Sequence, residues 1–351
     1  MQENHYLQPL IEPRSVAVIG ASERAGSLGR TVIRNLIDSG YTGRLFAVNP
    51  KHKKIFDLPS YPSIEEVPHR IDLAVICVAA EKVIAVVEGC GRAGVKMVAV
   101  LSAGFAESGA RGERLERQLI ETARRYRMRL LGPNCLGVMR PQIGLNASFA
   151  LTAPLKGSIG FISHSGALCS AVLDWAKPAG VGFSAVVSLG ASVDIDFAEV
   201  LDFLAQDYRT EAIVLYIEGI KNARRFMSAL RAAARVKPVL VLKAGRHPEV
   251  MRTIHLHAGH QPGDDKVFDA ALRRSGVIRL YNISQLYAAL SALFARLRPR
   301  GNRLAILTNG GGIGAMADDR AADLGIPLAE LGDTTREALD KLLPQNWSHA
   351  N

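Results

Sequence analysis

The feature that most constrains the fold is an alternation. Short aliphatic and β-branched runs, bounded by glycine and proline, alternate with segments of helical period along almost the whole chain. Runs that stay apolar on both faces read as strands of a parallel sheet covered by helices on each side, which places the chain in the α/β class. The first set reads as strand Ser15–Ile19, helix Leu28–Ser39, strands Leu45–Val48 and Leu73–Val78, helix Lys82–Ala93, strand Lys96–Leu101, helix Gly112–Tyr126 and strand Arg129–Leu131. These elements predict a Rossmann-like domain over residues 1–140.

From Gly132 to Gly157 the chain is punctuated by proline and glycine, and then the alternation restarts. Strands are expected over Ser158–Ile162, Ser184–Ser188, Ala212–Ile217, Val239–Leu242 and Val277–Leu280. The helices between them include Ala167–Trp175, Phe197–Ala205, Ala223–Ala234 and Lys266–Ser275, and a last helix runs over Ile283–Leu297. This is a flavodoxin-like, doubly wound domain over residues 150–298. After an RPRGNR linker (Arg298–Arg303), a third unit opens with strand Leu304–Leu307 and the TNGGGIG loop (Thr308–Gly314). Residues 303–351 are too few to close a doubly wound sheet and read as the incomplete start of a second flavodoxin-like domain. An uncovered sheet edge there would favour association, so a homo-oligomer is one expectation.

A content of 48% hydrophobic and 22% charged residues is that of a globular chain, not a disordered one. Every apolar run is broken before the roughly 18 residues a membrane span needs, and the opening MQENHYLQPLIEPRS has neither a basic nor an apolar leader segment. A cytoplasmic protein without a membrane partner is expected. The four cysteines, Cys77, Cys90, Cys135 and Cys169, form no CxxC pair and read as free thiols. The net charge of +10 favours anionic partners, but much of it lies in Arg111–Arg129, where Arg and Glu alternate around an apolar stripe. That is a solvated helix face, and with so few aromatics no nucleic-acid partner is expected.

Residues Val16–Gly29 (VAVIGASERAGSLG) follow a strand and lead into a helix, with glycines at Gly20, Gly26 and Gly29. Glycine there permits a tight turn and leaves the helix N–H groups free to hold a pyrophosphate. A bare βα turn without a ligand is the alternative. An NAD site wants an acidic residue about 20 positions on, at the end of the second strand. Here that strand runs Val48-Asn49-Pro50 into Lys51-His52-Lys53-Lys54, a cluster suited to the ribose phosphate of NADP or coenzyme A.

In the second domain, Gly160–Gly166 (GFISHSG) ends a strand and starts a helix. The hydroxyls of Ser163 and Ser165, with the helix start at Gly166, could cradle a phosphate or simply cap the helix. The spacing is wrong for a nucleophile elbow. LYIEGI puts Glu218 at the carboxyl end of an apolar strand, where doubly wound sheets place ligands. Further on, TIHLHAGHQPGDD holds His255, His257 and His260. A metal site, a phosphate carrier and a solvated loop all remain open for it, although no cysteine or HExxH spacing supports a metal.

The segments VAVIGAS, GSLG, AVNPK, LGPNCLG, GFISHSGAL, LGASVDIDFAEVLDFL, LYIEGI, KAGR, HAG and DAALRRSGVIR occur in that order over nearly the whole chain. Together they resemble the NDP-forming acyl-CoA synthetases, which include succinyl-CoA synthetase α subunits and the α part of ADP-forming acetyl-CoA synthetases. GLNASF and LDWA are most similar to the synthetase-like part of bacterial GNAT-fused protein lysine acetyltransferases. By this resemblance coenzyme A lies on the first domain. Ser22, Gly26, Ser27 and Leu28 meet its phosphates beside Gly20 and Gly29, Lys51 meets its adenosine end, and Asn134 and Cys135 lie near its thiol. On its own sequence context Cys135 is equally a small buried hydrophobe. Ser163, Ser165 and Gly166 would hold inorganic phosphate or the phosphohistidine. Glu218 would orient the carrier histidine, which the resemblance places at His257, about 40 residues beyond it.

The implied reaction converts acyl-CoA, phosphate and ADP to acid, CoA and ATP through an acyl phosphate and a phosphohistidine. Mg-ADP or Mg-ATP would be bound only by an ATP-grasp domain, which is not expected within these residues and which a β-type partner would supply. The substrate is a small carboxylic acid or its acyl-CoA. The loop departs from the family pattern, since His255, Leu256, His260 and Pro262 are bulkier than the usual neighbours of the carrier. A non-catalytic CoA- or acyl-CoA-sensing module of an acetyltransferase-type protein is therefore the alternative. An NADP-dependent reductase is a weaker one, because no hydride-transfer constellation follows.

Overall fold

The computed structural model describes residues 5–246, 264–295, 299, 301–345 and 347. The chain forms two compact units, Met1–Ala295 and Arg296–Asn351.

In the first unit a short helix, α1 (Gln8–Ile11), precedes β1 (Ser15–Ile19), α2 (Leu28–Asp38) and β2 (Arg44–Val48). Two short strands follow, β3 (Lys54–Ile55) and β4 (Leu58–Tyr61). Then come β5 (Leu73–Ile76), α3 (Ala80–Arg92), β6 (Met97–Val100), α4 (Ala110–Arg125) and β7 (Arg129–Leu131). The sheet order is β3-β4-β2-β1-β5-β6-β7, parallel except between β3 and β4. Every residue of β1, β5 and β6 is buried, which is why these strands read as unbroken apolar runs. Because β2 and β5 flank β1, the chain changes direction there, and a crevice opens above the carboxyl ends of β1 and β5.

The second sheet contains β8 (Gly137–Arg140), β9 (Leu145–Ser148), β10 (Leu155–Ser163), β11 (Gly182–Ser188), β12 (Ala212–Ile217), β13 (Val239–Lys243) and β14 (Ile278–Leu280). Its helices are α5 (Gly166–Ala176), α6 (Phe197–Gln206), α7 (Ala223–Val236), α8 (Asp265–Arg274) and α9 (Ile283–Phe294). The order β14-β13-β12-β10-β11 is parallel and doubly wound, with its change of direction between β10 and β12.

The proline- and glycine-rich stretch is not a plain linker. Residues 137–148 form an antiparallel hairpin, β8 with β9, that extends this sheet beyond β11. All eight of its strand positions are buried although they include Arg140, Asn146 and Ser148. Arg140 is fully buried, so its charge has to be paired. It donates to both oxygens of Asp207 at 2.7 and 2.9 Å, to Glu12 at 2.8 Å and to the Ser184 carbonyl at 3.1 Å. Burial alone would raise the Asp207 carboxyl, but this guanidinium holds it below the usual carboxylate range.

The hairpin also joins the two sheets. Asn35 of α2 donates to the carbonyls of Ser148 and Ala150, at 2.9 and 2.8 Å. The loop after β11 runs along β7, with Ile195 N bonded to Leu130 O at 3.1 Å and Leu130 N bonded to the Asp194 carboxylate at 2.8 Å. One apolar cluster therefore takes residues from both sheets, among them Val16, Val138, Ala147 and Val187, together with Leu36 of α2.

The second unit holds α10 (Gly311–Asp323) and α11 (Asp333–Asp340). The strand expected over Leu304–Leu307 is reduced to a single parallel bridge between Leu304 and Leu328. Leu307 is 90% exposed, and two segments without a covered face do not make a stable sheet.

Candidate functional site

The loop between β1 and α2 is shaped by its glycines. Gly20 has φ +87°, and a Cβ there would lie 2.8 Å from the Cys77 carbonyl oxygen. A Cβ on Gly29 would lie 1.9 Å from the Gly20 carbonyl oxygen, so the first turn of α2 sits directly against the loop. Gly26, at φ +75°, faces open space. Ser22 accepts from Arg24 N at 3.0 Å, and Ser27 caps α2 by accepting from Arg30 N at 3.3 Å. Gly26 and Leu28 are exposed while Gly29 is buried. At the end of β2, Asn49 donates to the Ala21 carbonyl at 2.7 Å and accepts from Lys51 N at 2.9 Å. This ties the basic strand end to the glycine loop and leaves the Lys51 side chain exposed. An open turn with free helix N–H groups and a nearby cation fits a phosphate-bearing ligand.

Asn134 is exposed, in a left-handed conformation at φ +54°, with its N–H bonded to the Ser102 carbonyl at 3.0 Å. Cys135 is buried and donates to the Val100 carbonyl at 3.4 Å. Burial pushes its thiol up to about 12, so it is no nucleophile at neutral pH.

At the second switch point, Ser163 Oγ accepts from Ser165 N at 3.0 Å and donates to Ser165 O at 2.9 Å. Ser165 Oγ caps α5 by accepting from Leu168 N at 3.2 Å. Both hydroxyls thus shape the turn into α5 at Gly166. Glu218 is buried at the end of β12. Its N–H donates to Nδ1 of the buried His164 at 3.2 Å. Burial, and after it the neighbouring Glu218 carboxylate, push the Tyr216 hydroxyl up to about 12. A small adjoining cavity is lined by His164, Ser192, Asp196 and Lys221 with Phe197 and Phe226. Burial and the neighbouring Glu199 raise the Asp196 carboxyl there, and burial lowers Lys221.

One loop brings the two sheets' candidate residues together. Ala191 N donates to Pro133 O at 2.9 Å, Leu136 N donates to the Ser188 hydroxyl at 3.0 Å, and a Cβ on Gly190 would lie 2.4 Å from Pro133 O. Lys221, three positions after Glu218, donates to the carbonyls of Ala191 at 2.9 Å and Ser192 at 3.2 Å. The segment carrying Asn134 and Cys135 is thereby linked to the one carrying Glu218. His255, His257 and His260 lie outside the described residues. The sequence reading passed over His164, Tyr216 and Lys221. His164 stood between the two serines it singled out, and its signal was a histidine immediately before a helix cap.

Residues 14–141 match the CoA binding domain family, and residues 156–293 match the succinyl-CoA ligase like flavodoxin domain family. Acetate–CoA ligase [ADP-forming] I of Archaeoglobus fulgidus is 44% identical over 98% of this chain and 50% of its own length. The α subunit of acetate–CoA ligase [ADP-forming] I of Pyrococcus furiosus is 44% identical over 92% of this chain and 71% of its own. The chain thus spans about half of the first relative and about seven tenths of the second. The structure of an acetyl-coenzyme A synthetase from Ca. Korarchaeum cryptofilum, in complex with phosphate and ADP, superposes with a TM-score of 0.92 at 36% identity, covering 98% of this chain and 74% of that one. With both domains in order and a separate α subunit matched over most of its length, the chain belongs to the family of ADP-forming acetate–CoA ligase α subunits and α-type regions.

Proposed function

We propose that this chain is the α-type part of an acyl-CoA ligase that converts acyl-CoA, phosphate and ADP to carboxylic acid, CoA and ATP, reversibly. The observation that carries this reading is the link between two switch points. An open glycine loop beside a basic strand end lies on one, a buried glutamate beside a capped helix start lies on the other, and Gly190–Ser192 ties their loops together. The division into domains 1–140, 150–298 and 303–351 belongs to the same proposal.

CoA would lie with its phosphates on Gly20, Ser22, Gly26, Ser27, Leu28 and Gly29, its adenosine end by Lys51 and its thiol end by Asn134 and Cys135. Phosphate, near Ser163, Ser165 and Gly166, attacks the thioester carbonyl; the C–S bond breaks, giving acyl phosphate and the CoA thiolate, which takes up a proton. A neutral nitrogen of His257 then attacks phosphorus and the acid leaves as its carboxylate. Glu218 stabilises the positive charge that develops on the imidazole. Transfer from phosphohistidine to Mg-ADP is assigned to an ATP-grasp β-type subunit or domain. Relatives are named for acetate and for 4-hydroxybutyrate, so the substrate class is a small carboxylic acid. A cytoplasmic site of action is proposed on the free Cys77, Cys90, Cys135 and Cys169.

The test is incubation of the purified chain with acetyl-CoA and radiolabelled phosphate. Acid-labile, base-stable label that is lost in His257→Ala is the expected result. Tight CoA binding with no label would replace this reading with that of a CoA-sensing module.

A further inference from the structure

In a parallel ladder a residue donates its N–H to one partner and accepts at its carbonyl from the residue two positions further along that partner strand. β10 and β12 follow this rule as far as Ser163 opposite Tyr216. His164 N continues it by donating to Tyr216 O at 3.2 Å. The next rung would join Glu218 N to the carbonyl of His164, but the chain turns into α5 at this point. His164 Nδ1 takes that N–H instead, at 3.2 Å. An Nδ1 that accepts carries no proton, which fixes the neutral tautomer with hydrogen on Nε2. The ring is itself wedged edge-on against Phe197, with centroids 4.6 Å apart.

We infer that His164 is a positioning residue that holds Glu218 by its amide and so aims its carboxylate for the phosphoryl transfer. The inference rests on the ligase reading for what Glu218 does, and on geometry alone for how it is held. Without His164 Nδ1 the buried Glu218 N–H loses this bond, so the strand end frays and the carboxylate loses its direction.

The test joins a structural and a kinetic readout on the whole chain. Amide hydrogen exchange at Glu218 and the rate of labelling from acetyl-CoA and labelled phosphate are measured for the wild type, His164→Leu and His164→Asn. Loss of one buried hydrogen bond predicts about 10- to 100-fold faster Glu218 exchange in His164→Leu and a comparable fall in labelling rate. The phosphate concentration giving half-maximal rate stays within about twofold, because positioning acts on the transfer step. Asn Oδ1 stands where Nδ1 does, so His164→Asn recovers both quantities to within about threefold.

Unchanged exchange in His164→Leu overturns the inference. So does faster exchange with an undiminished labelling rate. If the wild type takes no label while exchange follows the predicted pattern, the ligase reading and the functional role fall together, and the hold of His164 on the Glu218 amide stands.

Discussion

The chain turns from strand to helix at a sheet's change of direction twice, after β1 and after β10, and the two turns are built differently. After β1, glycines at φ +87° and +75° keep the loop open, and beside Gly26 there is free space. After β10, Ser163 and Ser165 spend their hydroxyls on the turn and the helix cap, and a histidine ring completes the sheet ladder. The first turn offers backbone N–H groups to a large ligand; the second offers a fixed frame for one carboxylate. Both turns spend a serine on the helix cap, Ser27 in one and Ser165 in the other, so what separates binding from orientation is the pair of left-handed glycines that holds the first loop open and the histidine that closes the second.

Substitutions at four positions break or sharpen that contrast. His257→Ala should cost on the order of 10³-fold or more in labelling, since it removes the nucleophile, while CoA affinity is unchanged; calorimetry with CoA checks the second half. Gly29→Ala forces a methyl into the Gly20 carbonyl and should weaken CoA binding by about 10- to 100-fold, a cost typical of overpacking. An affinity within error of the wild type would mean that CoA does not use this turn. Lys51→Glu should weaken CoA binding by about 10-fold at low salt, and the deficit should shrink as salt rises, because the side chain is exposed. The smallest effect separates capping from binding at Ser165. Ser165→Ala should lower stability by about 1 kcal/mol and Ser165→Gly by only a few tenths, followed by thermal melting. If the hydroxyl also touches phosphate, both variants raise the half-saturating phosphate concentration alike; if it only caps, neither does.

The parallel strands were legible because strands buried on both faces are continuous apolar runs, as in Leu73–Ile76 and Ala212–Ile217. The hairpin 137–148 was not, because its buried positions include Arg140, Asn146 and Ser148, which pair with one another or with distant groups and erase the apolar pattern. Leu304–Leu307 had the composition of a strand, yet among the described residues its sheet pairing is the one bridge from Leu304 to Leu328, showing that composition without a covered face does not make a strand. At the candidate site, Glu218 could be found from its place at a strand end. His164 could not, because its partner is a backbone amide far along the chain, and sequence spacing carries no information about which carbonyl a turning strand withdraws.

The most direct measurement is the release of free CoA thiol from acetyl-CoA by the purified chain, with and without phosphate and in the absence of ADP. A histidine carrier predicts a stoichiometric burst that requires phosphate and leaves the phosphoryl group on the peptide containing His257. Acetyl-CoA that binds tightly and stays intact in the presence of phosphate would contradict it.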